Sequence, residues 1–271
     1  MYEEEEIDDK NNIEIRKFIL GIQDLNRHIL TFLPHIDQLP YLQTHKMNIN
    51  EVIPHKIKIS HLDKNPKIQT HLINHLIIDK PILLKGLETY NLPLLQTLDC
   101  SNHPINFDHL SLFTHLKTLI CSNNKLTELD SLPTSIEILD CSHNNIIEIN
   151  NLPKHLQELN CSYNKLVEVN YLPTDLQVLN ISFNIINNLN HLPIHLSSLN
   201  ISHNNISYIK NLEQLDNLKI FDCSSTNITK LDNLPSNIET LDCSSTDIKA
   251  INLQSHKKLK SFTFYDCILS D

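Results

Sequence analysis

The sequence has only 2 glycines in 271 residues and no tryptophan. Loops that cradle phosphate groups need several closely spaced glycines, so a glycine-rich phosphate loop is excluded. Sharp turns must be made by Asn, Asp and Pro instead, because these residues tolerate or enforce turn geometry by other means.

A membrane-spanning run and a secretory leader are also missing. No apolar stretch approaches the roughly 18 residues that span a bilayer, and the acidic start from Met1 to Glu6 lacks the basic and apolar regions of a signal peptide. The 7 cysteines are an odd number, which favours reduced thiols here. We therefore expect a cytoplasmic protein with no membrane partner, in the host cytoplasm if the chain comes from a pathogen or virus.

Basic residues are fewer than acidic residues in this chain. The chain carries 22 Lys and Arg against 32 Asp and Glu, a net charge of −10, and its 16 histidines are scattered. No basic stripe offsets this balance, so a phosphate backbone would be repelled. Nucleic acid is not an expected partner.

What the sequence does have is a repeat of about 20 residues, and self-similarity at this period indicates a solenoid. The unit LPxxLxxLxCSxNxLxxL runs almost undisturbed from Leu132 to Ile149. The position held by cysteine in this unit recurs along the chain at Cys100, Cys121, Cys141, Cys161, Ile181, Ile201, Cys223, Cys243 and Phe264.

Each feature of the unit has a physical reason. The alternation Leu139-Asp140-Cys141 predicts a short strand with Leu139 and Cys141 turned inward and Asp140 outward. One unit cannot bury its apolar face alone, so neighbouring strands are expected to stack into a parallel sheet. Three residues after the cysteine position, a buried amide ladder is predicted to satisfy backbone groups. Its members are Asn124, Asn144, Asn164, Asn184 and Asn204.

The unit resembles a leucine-rich repeat, and its length and Leu-Pro phase are most similar to the short bacterial-effector subtype. This resemblance implies an α/β solenoid with a concave parallel β-sheet, extended or helical-turn segments on the convex side, and a helical N-terminal cap. We place about nine to ten repeats in residues 71–271. Fold does not imply function, so the resemblance leaves the function open.

The N-terminal part is expected to hold a charged, disordered tail at 1–11, then a helical cap and a degenerate repeat at 12–70. Apolar residues at helical spacing from Asn12 to Leu33 predict an amphipathic helix covering the first edge of the solenoid. An alternative is open: residues 25–46 loosely resemble an F-box, the module that joins a substrate adaptor to a cullin ubiquitin ligase.

The recurring cysteines raise the question of metal binding or disulfides, because thiols one unit apart would lie about 5 Å apart along the sheet. However, they share their inward position with Ile181, Ile201 and Phe264, and ligands on one line cannot form a tetrahedron. We therefore expect core thiols acting as small hydrophobes, with no metal and no cofactor. The recurring serine lacks a His–Asp relay, so no catalytic residue is predicted and the chain is not expected to be an enzyme.

Outward strand positions and the positions just past each strand should form columns on the concave face. In four successive repeats the second kind of position carries an aromatic or imidazole ring, which is the composition of an interface centre with a polar rim. Alternatively, each ring covers only the edge of its own repeat. The predicted partner-binding residues are Ile138, Asp140, His143, Glu158, Asn160, Tyr163, Val178, Asn180, Phe183, Asn200 and His203.

These patterns favour a non-catalytic scaffold that binds a protein partner on the concave face. The alternative is a substrate adaptor of a cullin-type ubiquitin ligase, in which the N-terminal segment recruits the ligase and the repeats select the substrate.

Overall fold

The structure is a computed structural model that describes residues 56–59, 73–78, 92–103, 107–231, 233–249 and 251–265. The predicted acidic tail at 1–11, the predicted cap helix from Asn12 to Leu33 and the F-box-like segment at 25–46 lie outside the described residues.

Each described repeat contributes one strand of three residues to a single sheet, and the strands pair in parallel and in chain order. The strands are β1 Lys56–Lys58, β2 His75–Ile77, β3 Thr97–Asp99, β4 Thr118–Ile120, β5 Ile138–Asp140, β6 Glu158–Asn160, β7 Val178–Asn180, β8 Ser198–Asn200, β9 Ile220–Asp222, β10 Thr240–Asp242 and β11 Ser261–Thr263. Strands β2 to β11 lie in the predicted repeat range 71–271, and β1 lies in the segment assigned to the cap and degenerate repeat.

The register of the sheet places equivalent residues of successive repeats side by side. Leu139 of β5 is the partner of Leu159 in β6, which in turn faces Leu179 in β7. Because side chains alternate along a strand, this register turns every central residue to the same inner side. From β2 to β10 the central residue is buried, and one continuous core runs along the solenoid. Phe262 of β11 is 40% exposed, since it belongs to the last described layer.

The return segments are mostly turns and extended chain, with short 3-10 helices at Phe107–Leu112 and Leu212–Gln214. From Leu132 onward the prolines of the Leu-Pro pairs are on this return side and are buried: Pro133, Pro153, Pro173, Pro193 and Pro235. Their carbonyls still accept a backbone hydrogen bond: the Leu156 N–H donates to Pro153 O at 3.0 Å. Proline has no N–H to leave unsatisfied, which suits it to this buried turn.

The turns depart from expectation in one respect. Asn, Asp and Pro were predicted to make them, yet His, Tyr, Phe and Ser also adopt left-handed backbone here. The left-handed residues form one column just past the strands and another on the return side, each directly before a leucine. The first column is Asn102, Asn123, His143, Tyr163, Phe183, His203, Ser225 and Ser245, and the second is Ser131, Asn151, Tyr171, Asn211 and Asn233. A left-handed non-glycine residue costs about 1–2 kcal/mol, so the surrounding repeat must impose this geometry.

Candidate interaction surface

The cysteine ladder consists of the thiols of Cys100, Cys121, Cys141, Cys161, Cys223 and Cys243, and all six are buried. The Cys100 thiol donates to the Ile120 carbonyl oxygen at 3.2 Å, and the sulfur atoms of Cys141 and Cys161 lie 3.1 Å apart. The prediction that these residues belong to the core is confirmed. Among the described residues, no group of three or more His, Cys, Asp or Glu side chains could hold a metal ion.

The pKa values of Cys100, Cys121, Cys141 and Cys223 are raised, which keeps these four thiols protonated. Burial raises the pKa of Cys100, with a further increase from the nearby Asp99 carboxylate. The hydrogen bond with Cys161, followed by burial, raises the pKa of Cys141. A thiol must ionise to act as a nucleophile, so these side chains behave as small hydrophobic groups.

The asparagine ladder, formed by Asn124, Asn144, Asn164, Asn184 and Asn204, ties each repeat to the one before it. The amide nitrogen of Asn184 donates to Cys161 O and Ile181 O, both at 3.0 Å, and to Ser182 O at 3.1 Å. Its amide oxygen accepts the Leu166 N–H at 2.9 Å. The predicted role of this position in satisfying backbone groups is confirmed.

Later repeats replace the asparagine with threonine, whose hydroxyl has one donor hydrogen where the amide has two. The Thr226 hydroxyl donates to Cys223 O at 2.6 Å, and the Thr246 hydroxyl donates to Cys243 O at 2.7 Å. These bonds stay within one repeat, whereas the longer asparagine side chain also reaches the preceding repeat.

Polar residues at the third strand position have a structural role that the sequence analysis missed. Asp140 Oδ1 accepts the Ser142 N–H at 3.0 Å, and Asn160 Oδ1 accepts the Ser162 N–H at 3.2 Å and its hydroxyl at 2.8 Å. The same turn recurs at Asn180 and Asn200. The hydroxyls of Ser162, Ser182 and Ser202 bond to the side chain two residues earlier, so these serines are turn residues.

The ring column is formed by His143, Tyr163, Phe183 and His203, just past strands β5 to β8. Successive ring centroids are 4.2, 4.0 and 3.9 Å apart, and neighbouring ring planes lie within 16° of each other. The Tyr163 N–H donates to Ser182 O at 3.0 Å and the Phe183 N–H to Ser202 O at 2.9 Å, so the backbone holds the rings in line. The faces of the two inner rings are covered by their neighbours, while their edges remain accessible.

The rings are exposed at the surface. Tyr163 is 43% exposed and Phe183 is 36% exposed. Together with the two histidines they line a shallow, open depression. Ile185 also lines it and is 49% exposed, which the sequence analysis missed. The sequence does mark Ile185 as unusual, because the equivalent positions of the neighbouring repeats hold the polar residues Lys165 and Asn205.

The predicted contact residues fall into three adjacent rows. The first row lies at the start of β5 to β7, where Ile138 pairs with Glu158 and Glu158 pairs with Val178. Asp140 and the three asparagines at the ends of β6 to β8 form the second row, and the ring column forms the third. The structure thus brings the predicted residues together on one side of the sheet.

Solved structures with a similar fold are leucine-rich-repeat proteins. The functional domain of InlJ from Listeria monocytogenes, described as including a cysteine ladder, is 33% identical with a TM-score of 0.60, covering 66% of this chain and 41% of that one. YopM from Yersinia enterocolitica WA-314 is 23% identical with a TM-score of 0.53, covering 72% and 50%. A TLR13–ssRNA13 complex is 24% identical with a TM-score of 0.59, covering 72% and 33%.

This chain spans half or less of the length of each of these three structures. No protein-family model matches it, and no curated protein matches it.

The stacked parallel strands, the buried central leucine of β2 to β8 and of β10, and these neighbours show that the chain has a leucine-rich-repeat fold. Its repeat is of the short kind, because strands β5 to β8 begin 20 residues apart, at 138, 158, 178 and 198. Within the part of the chain that the structure describes, no helix has the length and apolar character needed to cross a bilayer.

Proposed function

We propose that the chain is a non-catalytic scaffold that binds a protein partner, and that the ring column lies at the centre of the contact. The leucine-rich-repeat fold serves as an interaction scaffold in general. The ring column is proposed as the contact centre because four exposed rings occupy left-handed positions in four consecutive repeats. Aromatic residues are costly in this backbone geometry, and exposing them adds a hydrophobic cost.

The outer repeats show that the turn itself needs no ring. Asn123 stands at the same position with a φ of 53°, and Ser225 with a φ of 52°. Stacking contributes about 0.5–1.5 kcal/mol for each ring pair, which is of the same size as the cost of the left-handed backbone. Stacking therefore explains how the rings are tolerated, whereas contact with a partner explains why they are placed at the surface.

A protein partner is favoured over nucleic acid by charge. A leucine-rich-repeat fold can hold RNA, as the TLR13–ssRNA13 complex shows for that protein. This chain has a net charge of −10, and none of the outward positions of β3 to β11 is Lys or Arg. A phosphate backbone approaching this face would meet repulsion rather than counterions to release.

The chemistry of the core supports a non-catalytic role. The recurring nucleophiles are of two kinds: thiols, which are buried, and serine hydroxyls, of which those of Ser162, Ser182 and Ser202 are already bonded within turns. A nucleophile needs an adjacent base and access to substrate. The thiols lack access to substrate, and the Ser224 hydroxyl is held in a turn by its bond to Asp222, so binding is the function that this geometry supports best.

The ring column is tested by changing Tyr163 and Phe183 together to asparagine, the residue that Asn123 already places in this turn. We expect the free energy of unfolding to change by no more than about 2 kcal/mol, since lost stacking and relieved backbone strain oppose each other. Affinity for a partner recovered on the immobilised wild-type chain should fall about tenfold or more, because buried aromatic anchors dominate interface energies.

The matched control changes Tyr171 and Tyr208 to asparagine. Both tyrosines are exposed and lie outside the sheet, and Asn151 already occupies the left-handed position equivalent to Tyr171. Calorimetric titration of the recovered partner should give nearly unchanged affinity for this variant. Equal affinities for the wild type and for the chain lacking Tyr163 and Phe183, with both folded, would reject the ring column as the contact centre.

A further inference from the structure

The sheet face beside the ring column is acidic without compensation. Outward positions of strands β3 to β11 include no Lys, Arg or His, and their carboxylates are Asp99, Asp140, Glu158, Asp222 and Asp242. The ion pairs found among the described residues, such as Lys117 with Glu137 and Lys260 with Glu239, use none of these five. The face therefore presents negative charge on both sides of a neutral, apolar centre.

The turns do not require this charge. Asp140 bonds to the serine two residues later through one oxygen, and Asn160 makes the equivalent bond with its amide oxygen. An uncharged residue thus satisfies the same turn in the middle repeats. Moreover, Asp222 and Asp242 are direct partners in neighbouring strands, where like charges repel.

The charges and the rings are arranged in order along the solenoid. Asp140 and Glu158 lie in β5 and β6, and Asp222 and Asp242 lie in β9 and β10. His143 and Tyr163 share the repeats of Asp140 and Glu158, and the two repeats between β6 and β9 carry Phe183 and His203 beside the neutral Asn180 and Asn200. From β5 to β9 there are four strand steps, or about 19 Å.

We propose that the partner presents a cationic segment, with Lys or Arg groups on both sides of an apolar stretch. Its apolar stretch contacts the ring column while its cations face the carboxylates at the two ends. An extended segment covers this span with about six residues. This inference rests on the proposed function and adds the chemical class of the partner.

The full chain is titrated, with fluorescence anisotropy as the readout, against a labelled peptide that has lysine clusters on either side of about six apolar residues. The same peptide with glutamates in place of the lysines and a single-stranded RNA of similar length are measured alongside. We expect the lysine peptide to bind about tenfold or more tightly than either, and its affinity to fall as salt is raised.

Two triple variants separate the position of the charge from its amount. The test variant carries Asp140→Asn, Asp222→Asn and Asp242→Asn, which keep a turn acceptor at each site. The control carries Glu128→Gln, Glu148→Gln and Glu168→Gln, three exposed residues outside the sheet, so the net charge changes equally. The test variant should lose about tenfold in affinity for the lysine peptide, and the control less than about threefold.

Equal losses in the two triple variants would overturn the inference, because only net charge would then matter. It would also be overturned if the lysine peptide failed to bind, or if the glutamate peptide or the RNA bound as tightly. Failure of the proposed function gives a different result. Removing the rings of Tyr163 and Phe183 would then leave lysine-peptide binding unchanged while the Asp→Asn variant still loses it.

Discussion

Raising the pH from about 8 to about 10 is expected to lower the free energy of unfolding of the solenoid by several kcal/mol. In the unfolded chain a cysteine thiol ionises near pH 8.5, whereas a thiol whose folded pKa is raised stays protonated in the solenoid. Burial, hydrogen bonding and neighbouring carboxylates raise the folded pKa of the ladder thiols Cys100, Cys121, Cys141 and Cys223. A raised folded pKa contributes stability that is fully present below the unfolded pKa. That stability is lost as the pH rises above it, toward the folded pKa.

The slope follows from linkage. Above the pKa of the unfolded thiol, each thiol that stays protonated in the folded state lowers the free energy of unfolding by about 1.4 kcal/mol per pH unit. Four such thiols therefore lower it by about 5 kcal/mol per pH unit. Urea unfolding followed by circular dichroism, under reducing conditions and at steps between about pH 8 and 10, measures this dependence.

A matched variant isolates the thiols from tyrosines and lysines, which also titrate at high pH. Changing Cys121 and Cys223 to valine should reduce the slope by about half, since two of the four thiols no longer ionise. Valine is suitable because Ile181 and Ile201 already occupy the same buried column. Identical slopes for the variant and the wild type would show that the buried thiols do not control alkaline stability.

Replacing Asn184 with alanine is expected to lower the free energy of unfolding by about 3 kcal/mol. The side chain is 7% exposed and bridges two repeats through bonds to Cys161 O, Ile181 O and the Leu166 N–H. Its removal leaves one buried N–H donor and three carbonyls without the amide, and an unsatisfied buried group costs more than an average bond contributes. Thermal or urea unfolding at pH 7 measures the loss.

Two comparisons show whether the loss comes from the bonds. Asn184→Thr should lose less than the alanine variant, because Thr226 and Thr246 donate to the equivalent carbonyl in later repeats. Asn205 is exposed and directly follows Asn204, the next member of the asparagine ladder. Asn205→Ala should change the free energy of unfolding by less than about 0.5 kcal/mol. A loss at Asn184→Ala as small as that at Asn205→Ala would contradict the bridging role of the asparagine ladder.

The arrangement of repeats could be predicted from the sequence because burial imposes a period on it. Leu139, Cys141 and Asn144 recur with almost constant spacing, and a parallel stack is the arrangement that turns all three kinds of residue inward together. The thiols were correctly placed in the core because isoleucine substitutes for cysteine at the same position. The order of the columns on the sheet followed from the same register.

The backbone at the ring positions could not be predicted. Tyr163 and Phe183 have φ values of 55° and 53°, whereas bulky residues rarely adopt left-handed backbone. The constraint comes from the neighbouring repeat, whose carbonyls accept their N–H groups. The turn role of Asp140 was missed for a related reason: an Asp two residues before a Ser does not reveal whether its oxygen faces solvent or the backbone.

The central claim is that near-equal coils stack in register along one axis, and distances between spin labels test it most directly. Labels at Thr118 and Ser198, four strand steps apart, should lie about 19 Å apart, and labels at Thr118 and Thr240, six steps apart, about 29 Å. The labels are attached to cysteines introduced at these positions. Cys267→Ser removes the native cysteine that is not part of the ladder, and the buried ladder thiols should not react with the label. A distance that grows by about one strand spacing per repeat is the predicted result, whereas two similar distances would contradict the stacked solenoid.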